Sequence, residues 1–313
     1  MSYFEKRQKL QTLKNGVVDN RLSVAEIKKL LDGKKGVLAK TRHSRAGLKN
    51  DPLYRARLNE NSKLFSNISE LIYPDPSKID IPKGRCNDKG QSILYASTSE
   101  LGTIVEYLSK GLGLYSMFTV ASLKRKNKTK ILYKPFGINL KPEVSVSKHN
   151  QILNEFCEAE FSKIIPKNNT NNNVYNFTIA ISQLHLERSI ITTNSHTGKK
   201  ENTSFESCIA YPSVHCPQFT NKTTYNIAMT PEVFDYNYTI SDICTYILVH
   251  DKDSDTILLT TINKAEINLE NGDLNWCYPY DVMVDRLKKG MGYAEIKNKY
   301  IEQNINTILS NIN

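Results

Sequence analysis

Three short segments carry the residue types from which a chemical site could be built. The first is Pro52-Leu53-Tyr54-Arg55. The second is Gly84-Arg85-Cys86-Asn87-Asp88-Lys89-Gly90, which leads into Ile93-Leu94-Tyr95-Ala96 and then a helical stretch containing Glu106. The third is Ile209-Ala210-Tyr211-Pro212-Ser213-Val214, followed by Tyr225-Asn226-Ile227-Ala228 and Pro231-Glu232-Val233. Arginine presents a planar fork of donors suited to phosphate oxygens. Gly84 and Gly90 allow backbone to approach a ligand without a Cβ clash. Phosphate recognition is therefore the chemistry to look for. One at a time, each residue has a plainer reading. Arg55 is an ordinary surface arginine, Glu106 lies off the apolar stripe of its helix, Ser213 is a turn residue behind a proline, and Tyr95 is core.

Other chemistries lack their patterns. The six histidines (His43, His149, His185, His196, His215, His250) form no H-x-x-x-H or H-E-x-x-H, and no metal site is expected. The six cysteines (Cys86, Cys157, Cys208, Cys216, Cys244, Cys277) include no C-x-x-C pair, so reduced, packed thiols are expected. Neither G-x-x-x-x-G-K-[ST] nor G-x-G-x-x-G occurs, which argues against a P-loop or Rossmann nucleotide site.

In combination and order, the three segments resemble the RES family, named for an arginine, a glutamate and a serine. The family pattern is a Leu-Tyr-Arg strand, a Gly-Arg-aromatic-Asn turn with a following Gly, a Leu-Tyr-x-Ala strand and a helix carrying Glu. A Tyr-Pro-Ser segment and an Asn-Leu-Ala-like strand come later. Here the Arg is Arg55, the Glu is Glu106 and the Ser is Ser213, and the resemblance covers residues 51–240. One position departs from the pattern: Cys86 stands where an aromatic residue usually follows Gly-Arg, leaving Tyr54 or Phe65 to supply that ring contact.

The resemblance implies an α+β fold with an ADP-ribosyltransferase-like split β-sheet core and flanking helices. It implies NAD+ as substrate, no metal, and a bacterial toxin paired with a protein antitoxin. NAD+ would be broken by hydrolysis or phosphorolysis, or its ADP-ribose transferred to a protein or nucleic acid. On this reading Arg55 and Arg85 meet the pyrophosphate. Glu106 stabilises the oxocarbenium-like ribose as nicotinamide departs, and Ser213 hydrogen-bonds the ribose or the arginine. Tyr95 stacks on nicotinamide or covers it, Tyr54 lines the adenosine side, and Asn226 is a further cofactor contact. Nicotinamide leaves as a neutral molecule, so no strong general acid is required.

The elements that must position these residues are legible in part. Residues 1–50 read as a helical extension: Ser23 and Glu26 have capping-box spacing, Ile27, Leu30 and Leu31 line one face, and Gly33 is a stop. Ser97 and Glu100 read as a second capping box, opening a helix with Leu101, Ile104, Val105 and Leu108 as its stripe. Strands are expected at 92–96, 114–123, 131–133 and 208–211. The stretch 124–173, with its basic run and Asn-rich tract, reads as an insertion within the 51–240 catalytic domain. Residues 174–191 mix strand-like alternation with helical spacing, and their length favours a helix. Beyond 240 the pattern is a meander at 243–249, 256–262 and 265–269, then an amphipathic helix over 293–312, packed on the core.

The chain of 313 residues is 39% hydrophobic, with 17 Tyr and 10 Phe, enough to build a core and to exclude global disorder. No apolar run approaches the roughly 18–20 residues that span a bilayer, and Met1–Arg7 lacks the apolar centre of a secretory signal. A cytoplasmic protein without membrane contact is expected. The net charge of +10 favours a polyanionic partner without choosing between a phosphorylated small molecule and nucleic acid. Three functions fit these features: an NAD+-consuming enzyme, a mono-ADP-ribosyltransferase, or a basic nucleic-acid or partner-binding module on a degenerate scaffold. The Arg–Glu–Ser set argues against the third, so nucleic acid is not the favoured partner. The uncovered extensions would cap the site, bind the antitoxin or form a homo-oligomer.

Overall fold

Two N-terminal helices, α1 (Tyr3–Val18) and α2 (Val24–Leu31), open the chain, and the second begins as its sequence predicts. In this computed structural model the Glu26 amide donates to Ser23 Oγ (3.3 Å). The Ser23 amide and hydroxyl donate to Glu26 Oε2 (2.8 and 2.7 Å), closing the capping box. The structure describes residues 3–19, 21–32, 46–47, 52–60, 63–108, 116–126, 132–138, 148–165, 173–186, 190–193, 200–203, 208–213, 224–251 and 256–277. The expected helix at 293–312 and most of the Asn-rich tract lie outside the described residues.

The remaining described helices are α3 (Glu100–Leu108), α4 (Lys148–Phe161), α5 (Asn176–Leu186) and α6 (Pro231–Asn237). The strands are β1 (Ala46–Gly47), β2 (Leu53–Leu58), β3 (Leu94–Ser97), β4 (Met117–Arg125), β5 (Leu132–Pro135) and β6 (Ile190–Thr193). They continue with β7 (Lys200–Thr203), β8 (Cys208–Pro212), β9 (Tyr225–Met229), β10 (Tyr238–Asp251), β11 (Thr256–Ile267) and β12 (Leu274–Trp276). Ten of them form one sheet in the order β1-β5-β8-β9-β3-β2-β4-β10-β11-β12, while β6 and β7 pair separately. In the large sheet only β5 and β8, among the described pairs, run parallel. The fold is thus mixed α+β.

Pairing within this sheet is uneven around β2. That strand pairs with β4 along its whole length, from Leu53↔Leu123 to Leu58↔Phe118. With β3 it shares a single registered pair, Tyr54↔Ser97. No further pair is registered between these two strands.

Period-2 alternation divides the core. Ile93, Ile209, Tyr211 and Ala228 face the helical side, packed against Leu13 of α1, Ile27 of α2, Phe161 of α4 and Phe177 of α5. Leu94, Ala96, Cys208, Ala210, Ile227 and Met229 face the other way, where α6 supplies Val233 and Phe234. Burying a side chain of this size contributes about 1.5–3 kcal/mol. Within the helical layer Asn176 ties the start of α5 to the α1–α2 turn, its Nδ2 donating to the Leu22 carbonyl (2.9 Å).

Several expectations change. Ser97 does not cap α3. It is the last residue of β3, and the helix starts behind Ser99, whose Oγ accepts from the Gly102 amide (3.4 Å) and whose carbonyl accepts from Thr103 (3.3 Å). Glu100 accepts from the Tyr246 hydroxyl rather than completing a capping box. The described part of 124–173, read as an insertion, is built into the core, because it contains β5 and α4 with Leu153, Phe156, Cys157 and Phe161 buried. Ala46–Gly47, in a stretch that reads as helical, pairs instead with β5. The 174–191 segment is helical over α5, buried on nearly every side, and its last residues enter β6. The two short strands expected at 256–262 and 265–269 are one strand, β11, and β10 runs continuously through residue 240 into the same sheet.

Candidate functional site

The parting of β2 from β3 leaves a cavity of about 360 Å³. That lies within the range of roughly 300–1,000 Å³ common to small-molecule sites. Its walls come from β2 (Arg55, Ala56, Arg57), the Gly84–Arg85 turn, β3 (Tyr95, Ala96, Ser97) and α3 (Thr103, Glu106, Tyr107). Tyr175, Tyr211 and Asn226 complete them.

Arg55 sits where the two strands separate, only 8% exposed. Its Nη1 donates to the Tyr95 carbonyl across the gap (2.6 Å), while its Nε is buried with no hydrogen-bond partner. Burial, and then the neighbouring Arg57, press its guanidinium down to about 9. It remains a cation at neutral pH, in surroundings that an anion would relieve.

Glu106 projects from the last turn of α3 and lies off its apolar face, as the sequence predicts. Its Oε1 accepts from Ser213 Oγ (3.5 Å) and from Asn226 Nδ2. Those partners come from the end of β8 and from β9, whose register places Tyr211 opposite Asn226. A helix and two strands thus converge on one carboxylate oxygen. Among the described residues the cavity walls carry three arginines and this single carboxylate.

The Gly84–Asn87 turn is locked from inside. The Tyr95 hydroxyl donates to Asn87 Oδ1 (2.8 Å) and accepts from the Cys86 amide (2.7 Å). Asn87 Nδ2 donates to the carbonyls of Pro82 and Asp88 (both 2.9 Å). A Cβ on Gly84 would stand 2.3 Å from Asn87 Oδ1 and 3.0 Å from the Tyr95 hydroxyl, which explains the glycine. Tyr95 is therefore a fixed wall, and burial holds its phenol protonated well above the ordinary value.

Arg55, Glu106, Tyr95, Arg85 and Asn226 all line the cavity, and Ser213 reaches it through Glu106. Ser213, expected on the ribose or the arginine, and Asn226, expected on the cofactor, both donate to Glu106 instead, and the contacts expected of Arg85 and Tyr54 are redirected too. Arg85 turns its fork to the C-terminal end of α4, donating to the carbonyls of Glu160 (3.5 Å), Phe161 and Lys163 (2.9 Å), and it rides over the Tyr175 ring. It satisfies carbonyls that the helix itself leaves unpaired. Tyr54, one residue from Arg55, necessarily leaves the opposite face of β2 and packs against the Ala56–Phe118 cluster.

Cys86 points into the core, where burial pushes its thiol up to about 12, and it is not among the residues that line the cavity. Phe65 packs in the opposite core layer, and its carbonyl accepts from Trp276 Nε1 (2.7 Å). Among the described residues the rings that line the cavity are Tyr95, Tyr107, Tyr175 and Tyr211.

No protein-family model, curated protein or solved structure matches the chain. Among the described residues no group of three or more His, Cys, Asp and Glu is placed to hold a metal ion. None of the described helices is long and apolar enough to cross a membrane.

Sequence reasoning missed Arg57, Tyr107, Tyr175 and Tyr211. Arg57 and Tyr211 carried a usable signal, lying two residues from Arg55 and Ser213 on strands whose period is two. Tyr175 carried none, because only the tertiary fold brings the start of α5 to the cavity.

Proposed function

We propose that the chain is an NAD+-consuming enzyme with an ADP-ribosyltransferase-like split-sheet core, cleaving the nicotinamide–ribose bond in the cavity between β2 and β3. The observation that carries this is the carboxylate of Glu106, held by Ser213 and Asn226 in the same cavity as a buried arginine that has no anionic partner among the described residues. The RES-family resemblance reaches the same residues independently of geometry.

The chemistry follows from charge. NAD+ carries a diphosphate and a positively charged nicotinamide ring. Arg55 is placed to take a phosphate, an interaction strengthened by burial. When the glycosidic C–N bond breaks, its electron pair leaves with nicotinamide, whose ring becomes neutral, and positive charge develops on the ribose. Glu106 opposes that charge, and Ser213 and Asn226 keep its carboxylate in place while the charge grows. An oriented group of this kind typically contributes about 10²–10³ in rate. The Tyr95 ring, fixed by its own hydroxyl bonds, offers nicotinamide a flat wall. Water, which gives up a proton to solvent, or phosphate then attacks the ribose carbon that nicotinamide has left. A role as a toxin restrained by a protein antitoxin belongs to the same proposal and rests on the resemblance alone.

NAD+ labelled on its adenosine half tests the reading. Free ADP-ribose, or its phosphorylated counterpart in phosphate buffer, is the expected product. Label transferred from lysate reactions to a macromolecule identifies a transferase acting through the same bond cleavage. Intact NAD+ under all three conditions refutes the proposal.

A further inference from the structure

We propose that Arg57, not Arg85, is the second arm of a two-arginine clamp that holds the diphosphate of NAD+ beside Arg55. This rests on the NAD+ reading and adds Arg57, a residue that the reading did not name. Arg55 and Arg57 lie two residues apart on β2, so their side chains leave the same face of the strand, roughly 6.5 Å apart at Cα. Both line the cavity.

A guanidinium carries five N–H donors. Arg55 gives one to the Tyr95 carbonyl (2.6 Å) and Arg57 one to the Ile72 carbonyl (2.9 Å). In each, Nε is buried without a hydrogen-bond partner. Among the described residues neither forms an ion pair, and the sole carboxylate in the cavity wall is Glu106, already engaged by Ser213 and Asn226. Two like charges are therefore held side by side, partly dehydrated and with donors to spare. Burial is the larger influence on both guanidinium groups, and it favours whatever neutralises them. A diphosphate supplies two negative charges and a row of acceptor oxygens, matching two forks better than a single phosphate does.

Arg85 is the residue that sequence pattern would nominate for this task. Its guanidinium instead closes the C-terminus of α4 through three carbonyls and stacks on Tyr175, 5.5 Å from the ring centre. Releasing it to a ligand would strand those carbonyls.

The test is titration calorimetry of the full chain with ADP-ribose, comparing wild type with Arg57→Gln and Arg57→Lys. Glutamine keeps one donor for the Ile72 carbonyl and removes the charge, while lysine keeps the charge and removes the fork. The clamp predicts that Arg57→Gln binds ADP-ribose about 10- to 100-fold more weakly, with Arg57→Lys intermediate and the ligand-free melting temperature unchanged. It is overturned if Arg57→Gln retains wild-type affinity, if affinity falls only in step with ligand-free stability, or if wild type does not bind ADP-ribose. Failure of the cleavage reading looks different: wild type then binds ADP-ribose, Arg57→Gln shows the deficit, and no nicotinamide is released from NAD+.

Discussion

Glu106 owes its orientation to Ser213 and Asn226, and both act differently from what the resemblance implies. Asn226 reads as a cofactor contact, yet its amide donates to the Glu106 carboxylate. Replacing it with alanine removes a hydrogen bond to a charged group, typically worth about 1.5–3 kcal/mol. We expect Asn226→Ala to lower kcat by about 10- to 100-fold with KM for NAD+ little changed, because ground-state binding does not pass through the carboxylate. A rise in KM at constant kcat would show that Asn226 touches NAD+ itself. Arg55, Glu106 and Tyr95 were legible as cavity residues because their types and order were distinctive. The redirection of Arg85 was not, since the α4 carbonyls it meets lie 75 and more residues downstream in sequence.

At the scale of elements, the position of α3 against β3 decides where Glu106 stands. Gly102 makes that approach possible. A Cβ there would fall 2.7 Å from Ser97 Oγ and 2.7 Å from Thr224 Cγ2. In an isolated helix, Gly102→Ala would gain about 1 kcal/mol of helix propensity, but here the methyl group pushes α3 away from β3 and carries Glu106 with it, one turn further on. A misplacement of about 1 Å can cost on the order of 10²-fold in rate. Purified Gly102→Ala is therefore expected to stay folded by circular dichroism and to lose most of its turnover; full activity would mean that the packing of α3 does not set the site. The Ser23–Glu26 box shows when local sequence suffices, because both partners lie within one turn. The supposed box at Ser97 fails because β3 extends to that residue, and strand length is settled by pairing with β9, which local spacing does not encode. The same holds for α4, whose apolar positions are diluted by polar neighbours and become core only against α1 and α5.

Across the whole molecule, one sheet links the N-terminal helices, the cavity and the β10–β12 meander, so the extensions share the core that supports the site. That core buries groups that titrate at alkaline pH. Burial raises the thiol of Cys86 from an ordinary 9.0, and the phenol of Tyr238 from 10.0, both to about 12. The unfolded chain releases these protons first, so between those values the native state binds more protons and stability falls as pH rises. Denaturant midpoints should therefore drop steadily from pH 9.0 towards about 12; a flat profile would mean that these groups are not held protonated. Individual strands and helices were legible from their patterns and the α+β class was implied by the resemblance, whereas the order of ten strands depends on pairings between distant segments. The central claim concerns bond cleavage at Glu106, and nicotinamide release from NAD+ tests it most directly. Measured with and without phosphate, wild type should release nicotinamide in at least one buffer. Glu106→Gln, with an unchanged melting temperature, should be slower by about 10²–10³. Equal rates for the two proteins, or no release from wild type in either buffer, would contradict the account.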